Sequence, residues 1–294
     1  MGDAKPRPKG AKELADKIRA NMRKSRERGE AEAKGLKIEE SGPQLPRVED
    51  DGTIILHEFG SRTVSMSPDG IITKQGSGIS LGEIEALNVA RQAGVPCPIP
   101  YGGQKLDGNR TAIQMSCVQG QSLDKVWGSM SPGEKSSIAR QLRDIIDKMR
   151  ALGPPPDLVG GCGHTPFRHL RAYDFAESAS FTNEAALNDW LLSSMYKLVP
   201  SPIRQAFRLT LRADHRIVFA HGDLGQRNIM VQDGKITGLI DWECAGWFPE
   251  YWEYVLFHKQ IHDDRDWREH SPTVFSQPYH EELVQYWALS QFIN

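Results

Sequence analysis

Short apolar runs separated by turn residues open the patterned part of the chain: Ile54-Ile55-Leu56, Thr63-Val64-Ser65 and Ile71-Ile72-Thr73, divided by Gly60-Ser61 and Pro68-Asp69-Gly70. β-branched runs between such turns predict an antiparallel meander, with Lys74 ending the third strand. Residues 81–93 then read as a helix carrying Glu83 and Glu85, stopped by Val95-Pro96-Cys97-Pro98. After a turn over residues 106–109, an apolar strand at 111–115 runs out through Ser116-Cys117-Val118-Gln119-Gly120. Backbone groups of such a segment can face an adenine edge, so it is read as a hinge, with a plain strand-to-helix connection as the alternative.

Beyond residue 120 the apolar period changes to three and four. Ser131-Pro132-Gly133-Glu134 is a capping-box sequence with proline at the first helical position. Ile138, Leu142, Ile145, Met149 and Leu152 mark one face of the helix that comes next, and Gly153-Pro154-Pro155-Pro156 ends it. Residues 157–180 read as irregular, 183–198 and 202–211 as helices, and 217–220 as a short strand that delivers His221. The aromatic-rich segment 245–250 reads as a turn, 251–261 as a helix and 280–292 as a last amphipathic helix. Strands first and helices afterwards predict an α+β, bilobal architecture.

Composition adds boundaries. The 294 residues are 39% hydrophobic and 25% charged, enough for a sizeable core. Residues 1–47 hold few large apolar groups, so a mobile charged tail is expected, with residues 11–33 able to form a solvated helix. Residues 48–118 are assigned to a β-rich N-lobe and 119–294 to a C-lobe. A net charge of −2 argues against a nucleic-acid partner, although the basic tail keeps local binding open. Cys97, Cys117, Cys162 and Cys244 form no C-x-x-C pair, and Cys162 with His164 lacks a second ligand pair, so reduced thiols in a cytoplasmic protein are expected. No apolar run approaches the roughly 20 residues of a membrane span.

The densest chemistry lies between His221 and Glu243. Asp223 and Asn228 stand in a D-x-x-x-x-N arrangement, and Asp241 comes after an apolar strand. A hairpin about Asp233-Gly234 places Asn228 and Asp241 near its open end. In transfer of a γ-phosphoryl group from ATP, Asp223 takes the place of general base, while Asn228 and Asp241 offer the hard oxygens that Mg²⁺ prefers. His221 is read as support for the loop. Arg227 is open between substrate contact and solvent, and Glu243 is placed in an outer or surface position. Upstream, Lys74 and a helix glutamate supply a phosphate-binding ammonium and its orienting carboxylate; Glu85 is preferred over Glu83. The Gly60-Ser61-Arg62 turn stands where a nucleotide-covering loop belongs, but an ordinary hairpin turn fits equally.

These residues in this order resemble the aminoglycoside phosphotransferase and choline kinase-like family, the small-molecule branch of the protein-kinase-like fold. The resemblance runs over residues 53–262 and is strongest in His-Gly-Asp-Leu-Gly-Gln-Arg-Asn-Ile-Met-Val and Gly-Leu-Ile-Asp-Trp-Glu. The Trp-Glu-x-Ala-Gly-Trp-x-Pro-Glu-Tyr-Trp-Glu run is similar to a large group of fungal members. The resemblance implies Asp223 as catalytic aspartate, Asn228 and Asp241 as metal ligands, Lys74 and Glu85 as the phosphate-site pair, and Ser116 and Val118 as adenine-facing backbone. Gly225-Gln226 replaces the His-Pro of many relatives, a variant shared with some antibiotic-modifying members.

Asp241 is followed almost at once by Pro249-Glu250, which leaves little room for a peptide platform and favours a small hydroxyl compound as acceptor. Glu250, Glu253, Asp263 and Asp264 are candidates for lining a cationic acceptor site, and solvated faces explain them equally. ATP, or alternatively GTP, with Mg²⁺ is the expected cofactor set. The alternative function is a catalytically silent nucleotide-binding or scaffold protein of the same fold.

Overall fold

The computed structural model describes residues 47–155, 157–164, 180–259 and 265–293. The expected tail and helix in residues 1–46, the stretch 165–179 and residues 260–264, with Asp263 and Asp264, lie outside them.

Strands β2 (Ile54–Phe59), β3 (Arg62–Met66) and β4 (Ile71–Ser77) form the expected meander, preceded by an unanticipated two-residue strand β1 (Arg47–Val48) and followed by helix α1 (Gly82–Gln92) and strands β5 (Pro100–Lys105) and β6 (Arg110–Ser116). Among the described residues these six strands make one antiparallel sheet in the order β1-β2-β3-β4-β6-β5. Two sequence expectations change here. Lys74 lies in the middle of β4, opposite Val64 and Ile113, rather than at its end. Strand β5 went unanticipated because its Pro-Tyr-Gly-Gly-Gln-Lys sequence lacks the β-branched residues that mark a strand. Gly103 suits that strand because a Cβ there would stand 2.8 Å from the Ala112 carbonyl.

After strand β7 (Gln121–Ser122) and the short helix α2 (Leu123–Val126), helix α3 (Pro132–Arg150) starts with the anticipated capping box. Its Ile138, Leu142, Ile145 and Met149 are buried. Then come β8 (Val159–Gly161), β9 (Ser180–Phe181), α4 (Glu184–Ser193), α5 (Ser201–Thr210) and β10 (Ile217–Ala220). Strands β11 (Ile229–Gln232) and β12 (Lys235–Leu239) form the hairpin about Asp233-Gly234, both residues having positive φ, as a primed turn requires.

Strand β13 (Gly246–Pro249) corrects the reading of residues 245–250 as a turn. It pairs with both β10 and β8, and its buried Trp247 and Phe248 supply the apolar area that holds an extended conformation. Gly246 permits this pairing, since a Cβ there would collide with the Gly160 carbonyl. Helices α6 (Trp252–Lys259), α7 (Arg265–Glu269), α8 (Ser271–Val274) and α9 (His280–Leu289) complete the larger lobe. Trp127, Trp242, Trp252, Trp267, Tyr251 and Tyr286 are among its fully buried side chains. The result is an α+β, bilobal molecule with an antiparallel-sheet lobe and a mainly helical one.

Candidate active site

The hinge and the central hairpin are built as one unit. Strand β7 pairs with β11, extending the hairpin to three strands in the order β12-β11-β7. The Thr237 hydroxyl donates to the Gln119 carbonyl at 2.6 Å, Leu239 N–H donates to the Pro96 carbonyl at 2.9 Å, and Gly238 lies against the Val118 side chain. Ser116 is committed at two atoms: its N–H donates to the Ile99 carbonyl and its hydroxyl accepts from Ile99 N–H. Its carbonyl and the Val118 N–H remain as the backbone groups of the hinge reading.

At the end of β10, His221 is fully buried. Its Nε2 stands 3.0 Å from the Ile240 carbonyl and its Nδ1 accepts the Asp223 N–H at 3.2 Å. These partners assign the neutral Nε2–H tautomer, and burial lowers the pKa of the imidazole in the same sense. The ring therefore joins the Asp223 loop to the residue before Asp241. Gly222 has φ +79, and a Cβ there would collide with the Cys244 carbonyl, so this loop can close on the segment after Asp241 only with glycine.

Beneath the loop stands Glu253, which the sequence left open between an acceptor-site lining and a solvated face. It is buried on α6, and its carboxylate accepts His221 N–H at 2.5 Å and Gly222 N–H at 3.2 Å. Burial raises its pKa to about 7 against the lowering effect of those two donors. Glu253 thus fastens the His221–Gly222 backbone, and Glu250 pairs with Arg216 at 3.0 Å. No spacing rule pointed to this use of Glu253; only its place in an otherwise apolar helical run marked it as unusual.

Asp223 and Asn228 meet directly. The Asn228 amide nitrogen donates to the Asp223 carbonyl at 2.8 Å and to its carboxylate at 2.9 Å, which leaves the amide oxygen as the Asn228 atom able to face a cation. Arg227 Nη2 donates to both Asp223 carboxylate oxygens at 2.8 and 2.7 Å, while its side chain stays partly exposed. Ile240 N–H donates to the Asn228 carbonyl at 2.9 Å, so the hairpin carries Asn228 and the approach to Asp241 side by side. Asp241 itself has φ +63, a left-handed turn that Asp tolerates better than most side chains.

Across the cleft, Lys74 Nζ lies 2.6 Å from Asp241 and 2.9 Å from Glu83. The expected partner Glu85 is corrected by this geometry. Glu85 is exposed and lies against Gly163, because two positions along a helix turn a side chain to nearly the opposite face. Burial opposes the Lys74 ammonium, but Asp241, Glu83 and Glu243 more than offset it and raise its pKa well above the usual value. The Glu83 carboxyl, fully enclosed, is raised to about 7 by burial although Lys74 pulls the other way. Glu243, expected at an outer position, is only 5% exposed and stands 3.1 Å from Lys74 and 3.2 Å from Arg62. Glu83, Asp241 and Glu243 offer oxygens that all lie within 4.8 Å of one another. These carboxylates are the hard oxygen ligands that suit Mg²⁺.

Comparison with known proteins gives the family and the fold. A family model described as the phosphotransferase enzyme family matches residues 80–288. An aminoglycoside 3'-phosphotransferase of Enterococcus faecalis is 36% identical over 58 residues, and one of Staphylococcus aureus is 34% identical over 58 residues. Each alignment takes in 20% of this chain and 22% of the relative's length. Among solved structures, ADP-bound aminoglycoside phosphotransferase APH(2'')-Ib superposes with a TM-score of 0.56 at 12% identity, covering 83% of this chain and 86% of the other. A thermostable mutant of APH(4)-Ia in ternary complex with ADP and hygromycin B gives 0.54 at 15% identity, covering 81% and 83%. At these identities the structural likeness establishes the kinase-like fold.

Proposed function

The chain belongs to the phosphotransferase enzyme family, and from that premise we propose that it transfers the γ-phosphoryl group of ATP or GTP to a hydroxyl of a small molecule. The observation that carries the reading is the convergence of Lys74 and Glu83 from the sheet lobe on Asp241 of the helical lobe, whose hairpin also carries Asn228 beside Asp223. Residues 48–118 serve as the nucleotide-binding lobe in this reading, and 119–294 carry the catalytic loop and acceptor site.

Each residue then has a task. Asp223 accepts the proton of the acceptor hydroxyl, with Arg227 and the Asn228 amide orienting its carboxylate. Lys74, positioned by Glu83, contacts the phosphates. The Ser116 carbonyl and the Val118 N–H address the adenine edge. Asn228 and Asp241, with Glu243 beside them, are the residues to hold Mg²⁺. When bound, that cation neutralises phosphate oxygens as charge develops in transfer.

The segment after Asp241 supports a small acceptor. It forms a single 3-10 turn, Trp242–Cys244, and then the buried strand β13, so no exposed activation segment stands ready for a peptide. The curated relatives are aminoglycoside enzymes, and one solved neighbour is a GDP and kanamycin complex. Aminoglycosides are therefore the first acceptors to try, followed by choline-like alcohols and sugars. The test is nucleotide consumption over such a panel. Asp223→Ala is expected to lower turnover by about 10² to 10⁴. Unchanged turnover in that variant removes the general-base assignment, and binding of nucleotide with no transfer to any acceptor supports the silent-scaffold alternative.

A further inference from the structure

Arg62 stands at the first position of β3, immediately after the Gly60-Ser61 turn, and three of its donors are committed. Nε donates to the Ser77 carbonyl at 3.0 Å and Nη2 to the Gly78 carbonyl at 2.8 Å. Nη1 faces Glu243, 3.3 and 3.2 Å from its two oxygens. Ser77 and Gly78 lie where β4 leaves the sheet toward α1, so two backbone carbonyls pin the guanidinium at the edge of the cleft and aim Nη1 inward.

The local backbone is shaped for this. Gly76 has φ +138, and a Cβ there would collide with the Ser61 carbonyl oxygen and stand 2.7 Å from Arg62 Cα. The turn therefore rests directly on the Gly76 backbone, and no other residue fits between them.

Glu243 Oε2 also stands 3.1 Å from Lys74 Nζ. A guanidinium and an ammonium, both from the sheet lobe, thus meet on one oxygen of a nearly buried carboxylate from the other lobe. Two cations this close repel unless an anion lies between them. A phosphate group meets the same requirement with several anionic oxygens, and a guanidinium fork suits it especially well.

We propose that Arg62 is a phosphate-contacting residue of the nucleotide site, and that Glu243 competes with the nucleotide phosphates for Arg62 and Lys74. The inference rests on the phosphotransferase reading. Nucleotide binding exchanges the Nη1 contact from Glu243 to a phosphate oxygen, while Nε and Nη2 keep their carbonyls. No proton moves and no covalent bond changes. The short Gly60-Ser61 hairpin, which lacks a glycine-rich phosphate cradle, is thereby supplied with a charged side chain in its place.

The experiment is calorimetric titration of the full chain with ATP plus Mg²⁺, with ADP in EDTA, and with adenosine. Arg62→Gln is expected to weaken ATP and ADP about tenfold or more and to leave adenosine within about twofold. Arg62→Lys is expected not to restore phosphate binding, because a single ammonium nitrogen cannot occupy the separate positions from which Nε, Nη2 and Nη1 reach their partners. Glu243→Gln, which removes the competing anion, is expected to tighten ADP in EDTA about threefold or more. This second variant decides the matter even if Arg62→Gln fails to fold. Equal losses for adenosine and ATP in Arg62→Gln make the pair a structural brace and overturn the proposal, as does unchanged or weaker ADP binding in Glu243→Gln. Wild-type protein that binds no nucleotide overturns the phosphotransferase reading itself; wild-type binding that Arg62→Gln matches overturns the Arg62 assignment alone.

Discussion

Glu83 and Glu85 are two positions apart on α1, which sets them about 200° apart around the helix axis. Only one can face β4, and Glu83 does so with a carboxylate 1% exposed. Glu83→Gln should lower kcat/KM for ATP about tenfold by loosening Lys74, while Glu85→Gln should stay within about twofold; steady-state kinetics separate them, and equal effects would remove the distinction. A second buried carboxylate makes a prediction in pH. Glu253 titrates near 7 in the folded protein against 4.5 for a free glutamate, so the native state binds the extra proton between those values. Its contribution is most favourable below the lower value and is lost as pH rises through the upper one, at up to about 1.4 kcal/mol per pH unit. Urea unfolding from pH 4.5 to 7 should show this slope flattened in Glu253→Gln.

At the scale of elements, amphipathic helices and the hairpin were legible, and strands without a β-rich sequence were not. Helix α3 announced itself through Ser131 and Glu134, and both halves of the box form: Glu134 N–H donates to the Ser131 hydroxyl at 3.4 Å and Ser131 N–H to the Glu134 carboxylate at 2.8 Å. Ser131→Ala should therefore cost about 1 kcal/mol, read as a shift in the urea midpoint, and leave KM for ATP unchanged because the cap is exposed and its side-chain bonds go to Glu134 alone among the described residues. A matching change in KM would mean that α3 transmits to the cleft. Strand β13 is the opposite case. Its Ala-Gly-Trp-Phe-Pro setting carries turn residues, and the strand exists because β10 and β8 stand on either side of it. Long-range pairing of that kind overrides local propensity.

For the molecule as a whole, function depends on bringing the sheet lobe and the helical lobe to one cleft. Lys74 reaches Asp241 across 167 positions of sequence and Arg62 reaches Glu243 across 181. Ligands that engage both lobes should stabilise the fold: ATP with Mg²⁺ at about a hundred times its Kd is expected to add about 2.7 kcal/mol, raising Tm in a thermal scan. The gain should persist in Asp223→Ala, whose defect is assigned to proton transfer. An absent shift in the wild type would count against nucleotide binding altogether.

The amino-acid order by itself determined the two-lobe α+β plan and the hairpin with Asn228 and Asp241 at its open end, because each arises from local periodicity and turn chemistry. Tertiary structure alone decided which helix glutamate meets Lys74, that Arg227 and Asn228 both hold Asp223, that Glu253 lies beneath the loop and that Glu243 joins two cations. Those are relations between side chains far apart in sequence. Helix phase, burial and the closing of one lobe on the other set them, and none of the three is written in a spacing along the chain.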